Sequence, residues 1–196
     1  MSPVWVLRIT LFCVIVTQAS AQNRVAVAHL VSANITGRIL FTETTNGLHV
    51  TGTITGLPAG SYGFHIHELG DTSTCVAAGA HFNPDTTNHG GRDHNVRHVG
   101  DLGNVVFVGN GTAIANLDFV DSIIALRGRN SILGRALVLH DQEDDLGLGG
   151  HETSLTTGNA GARVACGVIG IQSPAEPWNS CFTHPHYDRC ILALTC

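Results

Sequence analysis

The chain breaks into short Val- and Ile-rich runs separated by turn signals, and no stretch of it carries a capped helical period. Val25 to Ser32, Arg38 to Thr42, Leu48 to Ile54, Tyr62 to Glu68, Val105 to Val108, Ala113 to Phe119, Arg135 to His140 and Arg163 to Ile171 have the length and composition of strands. Asn46-Gly47, Leu57-Pro58-Ala59-Gly60 and Asn110-Gly111 stand between them as turns. This pattern predicts an all-β fold, a Greek-key β-sandwich or flattened barrel of about eight strands. Gly70 to Leu102 and Asp141 to Ala162 refuse it: both are long, Gly-rich and polar. Loops of that length in a compact domain need something to hold them, and a metal with a disulfide would serve.

The ends of the chain read differently from its middle. Met1 to Ala21 is an apolar stretch broken by Arg8 and closed by Ala19-Ser20-Ala21, the pattern of a cleaved secretory signal peptide. Residues 22–172 form the expected folded domain, and residues 173–196 a Cys-containing C-terminal extension. All 10 cationic residues are Arg; without Arg8, 9 bases face 15 acids, a net of −6. With no dense basic cluster, nucleic acid and heparin are not expected as partners. No other apolar run approaches membrane length, so the expected product is secreted and extracellular, with no membrane partner. Asn34-Ile35-Thr36 and Asn110-Gly111-Thr112 fit the glycosylation rule, which operates only along that route.

Twelve histidines are an excess that a core does not need. Gly63-Phe64-His65-Ile66-His67-Glu68 puts two of them on alternate positions of a strand, where both rings face one side and can chelate one ion. His140 ends another strand run. The first long loop adds His81, His89, His98 and Asp101, three imidazoles and a carboxylate that suit zinc. Three or four imidazoles without thiolate suit a redox copper, and imidazole alone discriminates no further. Any one of these histidines is more often a surface residue; the seven groups together point to metal. His29, His49, His94 and His151 read as ordinary surface or core residues.

The strings GFHIHELGD, GAHFNPDTTNHGG, RHVGDLGN, GRALVLHDQEDDLGLGG and TGNAGARVACGVIGI resemble the copper/zinc superoxide dismutase family in order and spacing, from about Val25 to Ile171. The resemblance implies dismutation of superoxide to dioxygen and hydrogen peroxide. It implies copper on His65, His67, His81 and His140, and zinc on His81, His89, His98 and Asp101, with His81 shared between them. It implies that Asp144 hydrogen-bonds ligands of both metals, that Arg163 docks the substrate anion, and that Cys75 and Cys166 form a disulfide.

The family is usually a homodimer joined around the last strand, here Gly167 to Ile171, so a homodimer is expected. Two departures stand out. Family members that carry a glutamate and a lysine near the channel entrance are matched here by Thr153 and Thr156, with Thr157 kept. The extension holds Cys181, Cys190 and Cys196, an odd number that leaves one thiol free or cross-linked between chains. It also holds His184 and His186, read as a solvated pair. A copper-delivery protein would want a C-x-x-C pair, which this chain lacks; a non-catalytic extracellular metal-binding module would want a broken ligand set or no Arg163, and both are intact.

Overall fold

The computed structural model describes residues 23–174. The expected signal peptide, Cys181, Cys190, Cys196, His184 and His186 lie outside the described residues. Among those described, eight strands form: β1 (Val25–Val31), β2 (Thr36–Thr44), β3 (Gly47–Thr55), β4 (Gly60–His67), β5 (Asp101–Phe107), β6 (Ile114–Asp121), β7 (Ala136–His140) and β8 (Arg163–Ser173). They make one antiparallel sheet in the order β5-β4-β7-β8-β1-β2-β3-β6. The outermost strands, β5 and β6, are consecutive in the chain and meet at a bridge between Val108 and Ile114. The sheet therefore curls into a nearly closed barrel. The β3–β4 and β6–β7 connections each cross it, which is the Greek-key path.

All eight expected strands are present. One expectation needs correction: the first long segment, Gly70 to Leu102, is not free of strand, because β5 begins at Asp101. Asp101 stands opposite His65 in the β4–β5 ladder, beyond a register shift that a sequence pattern does not reveal. The two long loops also contain single helical turns, Cys75–Ala78 and Ser154–Thr157.

Period-two alternation decides which side chains fill the barrel. Ala26, Ala28 and Leu30 of β1, Ile39 and Phe41 of β2, Leu48, Val50 and Ile54 of β3, and Ala115 and Leu117 of β6 are buried. Strands β4 and β7 behave differently. Their inward side chains, Phe64, Ile66, Leu137 and Leu139, join the same core, and their outward ones, His65, His67 and His140, are buried too. The two long loops cover that outer face. A strand covered on both sides reads as a continuous apolar run, as Ala136 to Leu139 does.

Cys75 and Cys166 form a disulfide across 91 positions of sequence. Their sulfurs belong to a second, small cluster with Ala78, Ala136 and Val138, outside the barrel. This cluster pins the start of the first loop to β8.

Candidate metal centre

Backbone pairing brings the first loop onto the outer face of β4. His81 bridges to His67, Phe82 N–H donates to the Ile66 carbonyl at 2.9 Å, and Ile66 N–H donates to the Gly100 carbonyl at 2.9 Å. His81 is thereby set beside His65, with ring centroids 4.1 Å apart. His140 arrives from β7, the neighbour of β4, with its ring centroid 4.9 Å from that of His65.

Two four-residue sets result, His65–His67–His81–His140 and His81–His89–His98–Asp101, and all eight places are buried. Within each set the ligating atoms lie within 4.8 Å of one another, and His81 belongs to both. Every predicted ligand is thus brought together. Asp144 reaches both sets: its two carboxylate oxygens accept from His65 Nε2–H and His89 Nε2–H, each at 2.8 Å.

The outer ring nitrogens are committed, and the inner ones are not. His67 Nδ1–H donates to the Gly79 carbonyl at 2.9 Å, His140 Nδ1–H to that of Gly161 at 3.3 Å, and His98 Nε2–H to that of Thr87 at 3.1 Å. These acceptors fix each tautomer and aim the opposite nitrogen inward. His65 Nδ1, His67 Nε2, His81 Nε2 and His140 Nε2 are buried and without a hydrogen-bond partner. Four orphaned lone pairs converging at one place would be costly unless a cation receives them.

The second set fits a cation by charge. Asp101 is fully buried, with oxygens 2.8, 3.0 and 3.1 Å from Nδ1 of His81, His89 and His98. His89 Nδ1 lies at that distance from Asp101 without hydrogen-bond geometry, as expected when both atoms aim at a shared centre. Three imidazole nitrogens with one carboxylate make the closed donor set of a zinc site. All-imidazole donors in the first set suit copper.

Ionisation follows the same division. Burial, reinforced by the neighbouring His81, lowers His65 to about 3, His67 to about 2 and His140 to about 4, so these rings stay neutral and able to ligate. At His89 burial acts in the same direction, but close contact with the carboxylates of Asp101 and Asp144 outweighs it and raises the group to about 9. Burial would raise both carboxylates; contacts with the surrounding histidines instead hold them well below the usual range. The zinc-type pocket therefore favours positive charge and the copper-type pocket favours free lone pairs.

Arg163 stands where β8 leaves the loop, and its guanidinium Nη1–H groups donate to the carbonyls of Cys75 at 2.9 Å and Val76 at 3.1 Å. The disulfide-bonded turn thus orients the cation beside the first histidine set. Thr153, Thr156 and Thr157 sit in and before the helical turn of the second loop, where the Thr153 carbonyl accepts from Thr157 N–H at 2.8 Å.

Three supporting residues escaped the sequence reading. Asn104 forms a reciprocal pair with the Asp144 backbone, giving and accepting at 2.8 Å. Gly158 adopts φ +64°, and a Cβ there would lie 1.9 Å from Asp144 Oδ1. Buried Arg97 joins the Asp101 carbonyl to Asp121, whose carboxylate it meets at 2.7 Å. An amide, a glycine and an arginine are not metal ligands, so donor-type reasoning passed over them; only their place inside the strings RHVGDLGN and TGNAGARVACGVIGI hinted at a role.

Comparison with known proteins agrees with this geometry. The profile of the family described as copper/zinc superoxide dismutase (SODC) matches residues 35–169. Extracellular superoxide dismutase [Cu-Zn] of Drosophila melanogaster is 49% identical over 156 residues, covering 75% of this chain and 85% of that protein. The crystal structure of the clock protein EA4 superposes with a TM-score of 0.74 at 50% identity, over 80% of this chain and 99% of that one. With a family profile spanning most of the described residues and a relative at nearly half identity, this chain belongs to the copper/zinc superoxide dismutase family.

Proposed function

We propose that the two histidine sets joined at His81 are the centre at which this chain dismutes superoxide, with copper held by His65, His67, His81 and His140 and zinc by His81, His89, His98 and Asp101. The single observation that carries the assignment is the pair of buried sets sharing one imidazole. Two superoxide ions and two protons yield one dioxygen and one hydrogen peroxide. Copper, when bound, supplies the one-electron exchange, and zinc supplies fixed positive charge. His81 is the residue able to hold one of the protons, at Nε2, because its Nδ1 is committed on the Asp101 side. Arg163 binds the anion by a charge-assisted contact, and the carbonyls of Cys75 and Val76 keep its guanidinium in place. The outer hydrogen bonds to Gly79, Gly161, Thr87 and Asp144 keep the rings from turning.

The secretory reading is supported by the Drosophila relative, whose name calls it extracellular, together with the leader-like residues 1–21. The disulfide agrees with an oxidising compartment. The division into leader, domain 22–172 and extension 173–196 belongs to the same reading, as does a homodimer through the end of β8, where Val168 and Ile171 are exposed. Cross-linking through a tail cysteine is a further element of it. Neither metal delivery nor a non-catalytic module is favoured, since both sets and Arg163 are in place.

Metal analysis of the secreted protein, paired with a superoxide-scavenging assay on wild type and His140→Ala, tests this reading. About one copper and one zinc per chain, with scavenging lost in the variant, is the expected result. Full activity in copper-free protein would overturn it.

A further inference from the structure

We propose that Asn110 carries an N-linked glycan whose first sugars cover an apolar patch at the barrel seam. The patch is defined by strand register. Val108 and Ile114 pair directly, with N–H to carbonyl distances of 3.0 Å both ways, so their side chains share the outer face. Val106, two positions before Val108, shares that face too. Val106 is 58% exposed, Val108 67% and Ile114 40%.

The ladder partners around these three are Ser61 opposite Val106, Thr55 opposite Ile114 and Thr53 opposite Asn116. The surface is therefore aliphatic at its centre and uncharged at its edge. Charged groups normally keep an exposed sheet edge from pairing with another chain, and here none stands directly opposite these positions; on β6 the first is Asp118, four positions beyond Ile114.

The sequon Asn110-Gly111-Thr112 occupies the turn that joins Val108 to Ile114, at the end of this patch. Asn110 and Thr112 are exposed, and neither side chain makes a hydrogen bond within the described residues. Gly111 has φ +96° and open space where a Cβ would stand. Attachment forms a bond from Asn110 Nδ2 to C1 of the first N-acetylglucosamine of a lipid-pyrophosphate-linked oligosaccharide. The C1–oxygen bond breaks, the lipid pyrophosphate leaves and one amide proton is released. The C–H face of a pyranose ring suits aliphatic side chains, and its hydroxyls suit the Ser and Thr rim. Asn34 is exposed as well, but its sequon is built into the β1–β2 turn, with Ile35 in the core. Exposure alone does not separate the two sequons; the three bare aliphatic side chains do.

The two sequons fall on different tryptic peptides, 25–38 and 98–127. The holoenzyme is secreted from glycosylating cells behind a heterologous leader, so the result does not depend on residues 1–21. The expected result is a glycan on peptide 98–127, removed by peptide N-glycosidase with conversion of Asn110 to Asp, lost in Thr112→Ala and kept in Thr112→Ser. Glycan-free holoenzyme is expected to bind more of a hydrophobic dye and to self-associate, with superoxide-scavenging activity unchanged. Val106→Ser with Val108→Ser in that protein is expected to reverse both effects. A bare Asn110 in the secreted protein overturns the proposal, and so does glycan removal that leaves dye binding and association unchanged.

Discussion

Asp144 holds His65 through one oxygen and His89 through the other, so substituting Asn keeps the shape while replacing one acceptor with a donor. The expected outcome for Asp144→Asn is metal affinity weakened by about 10- to 100-fold, measured by competition with a chelator. Gly158→Ala should act on the same carboxylate from the opposite side, because the added methyl collides with it. Ionisation gives a second prediction at this scale. His65, His67 and His140 refuse protons in the fold, at about 3, 2 and 4, but accept them near 6.5 in the unfolded chain. The metal-free protein should therefore lose stability as pH falls below about 6.5. His89, raised to about 9, contributes stability that is complete below 6.5 and lost as pH rises through 9. Thermal unfolding of metal-free protein should be most resistant near pH 6.5; a flat profile from pH 5 to 9 would contradict this. The clustering of the histidines was legible because strand alternation and donor type point at them directly. Asn104 and Gly158 were not, since their contribution is a contact with Asp144 that only the folded loops create.

Strand β8 and the turn Cys75–Ala78 form one mechanical unit, since the disulfide joins them and Arg163 reaches back to the turn's carbonyls. Closing a loop of this span is worth about 4 to 5 kcal/mol on the chain-entropy account. Cys166→Ala should lower the melting temperature, and in the metal-loaded protein it should also lower kcat/KM, because the turn no longer fixes the guanidinium. Both carbonyls accept from the one nitrogen Nη1, which leaves Nη2 and Nε for an anion; Arg163→Lys keeps a charge but has a single nitrogen for both tasks, and a loss of about tenfold in kcat/KM is expected. If Cys166→Ala altered stability alone, the coupling would be absent. Strand existence was readable at this scale, because turns and β-branched runs are local. The start of β5 was not, since Asp101 joins the ladder across a register shift from His65, a contact between distant segments.

For the molecule as a whole, the metal sets lie outside the barrel core, between the outer face of β4 and β7 and the two loops. Metal removal should leave the far-ultraviolet signal of the strands intact while amide exchange accelerates in residues 68–100 and 141–162. Loss of strand signal on chelation would show instead that the barrel depends on the ions. Electrostatics also belongs to this scale. A chain of net charge −5 must attract an anion by local focusing, and the turn Ser154–Thr157 with neutral Thr153 before it brings Arg163 no cationic help. The scavenging rate should fall less with ionic strength than in lysine-bearing relatives, and Thr156→Lys should steepen that fall while raising the rate at low salt. Composition flagged the charge problem and already excluded a substitute lysine, since all 10 cationic residues are Arg; the folded loops add the place of Arg163 against the carbonyls of Cys75 and Val76. The shared carboxylate of Asp144 has a final consequence for how the protein is assembled. Whichever ion arrives first orders a group that the other also requires, so the two binding events are thermodynamically linked. Linkage is reciprocal: the factor by which zinc tightens copper must equal the factor by which copper tightens zinc. Titrations performed in the two orders should return the same coupling free energy, and Asp144→Asn should shrink it.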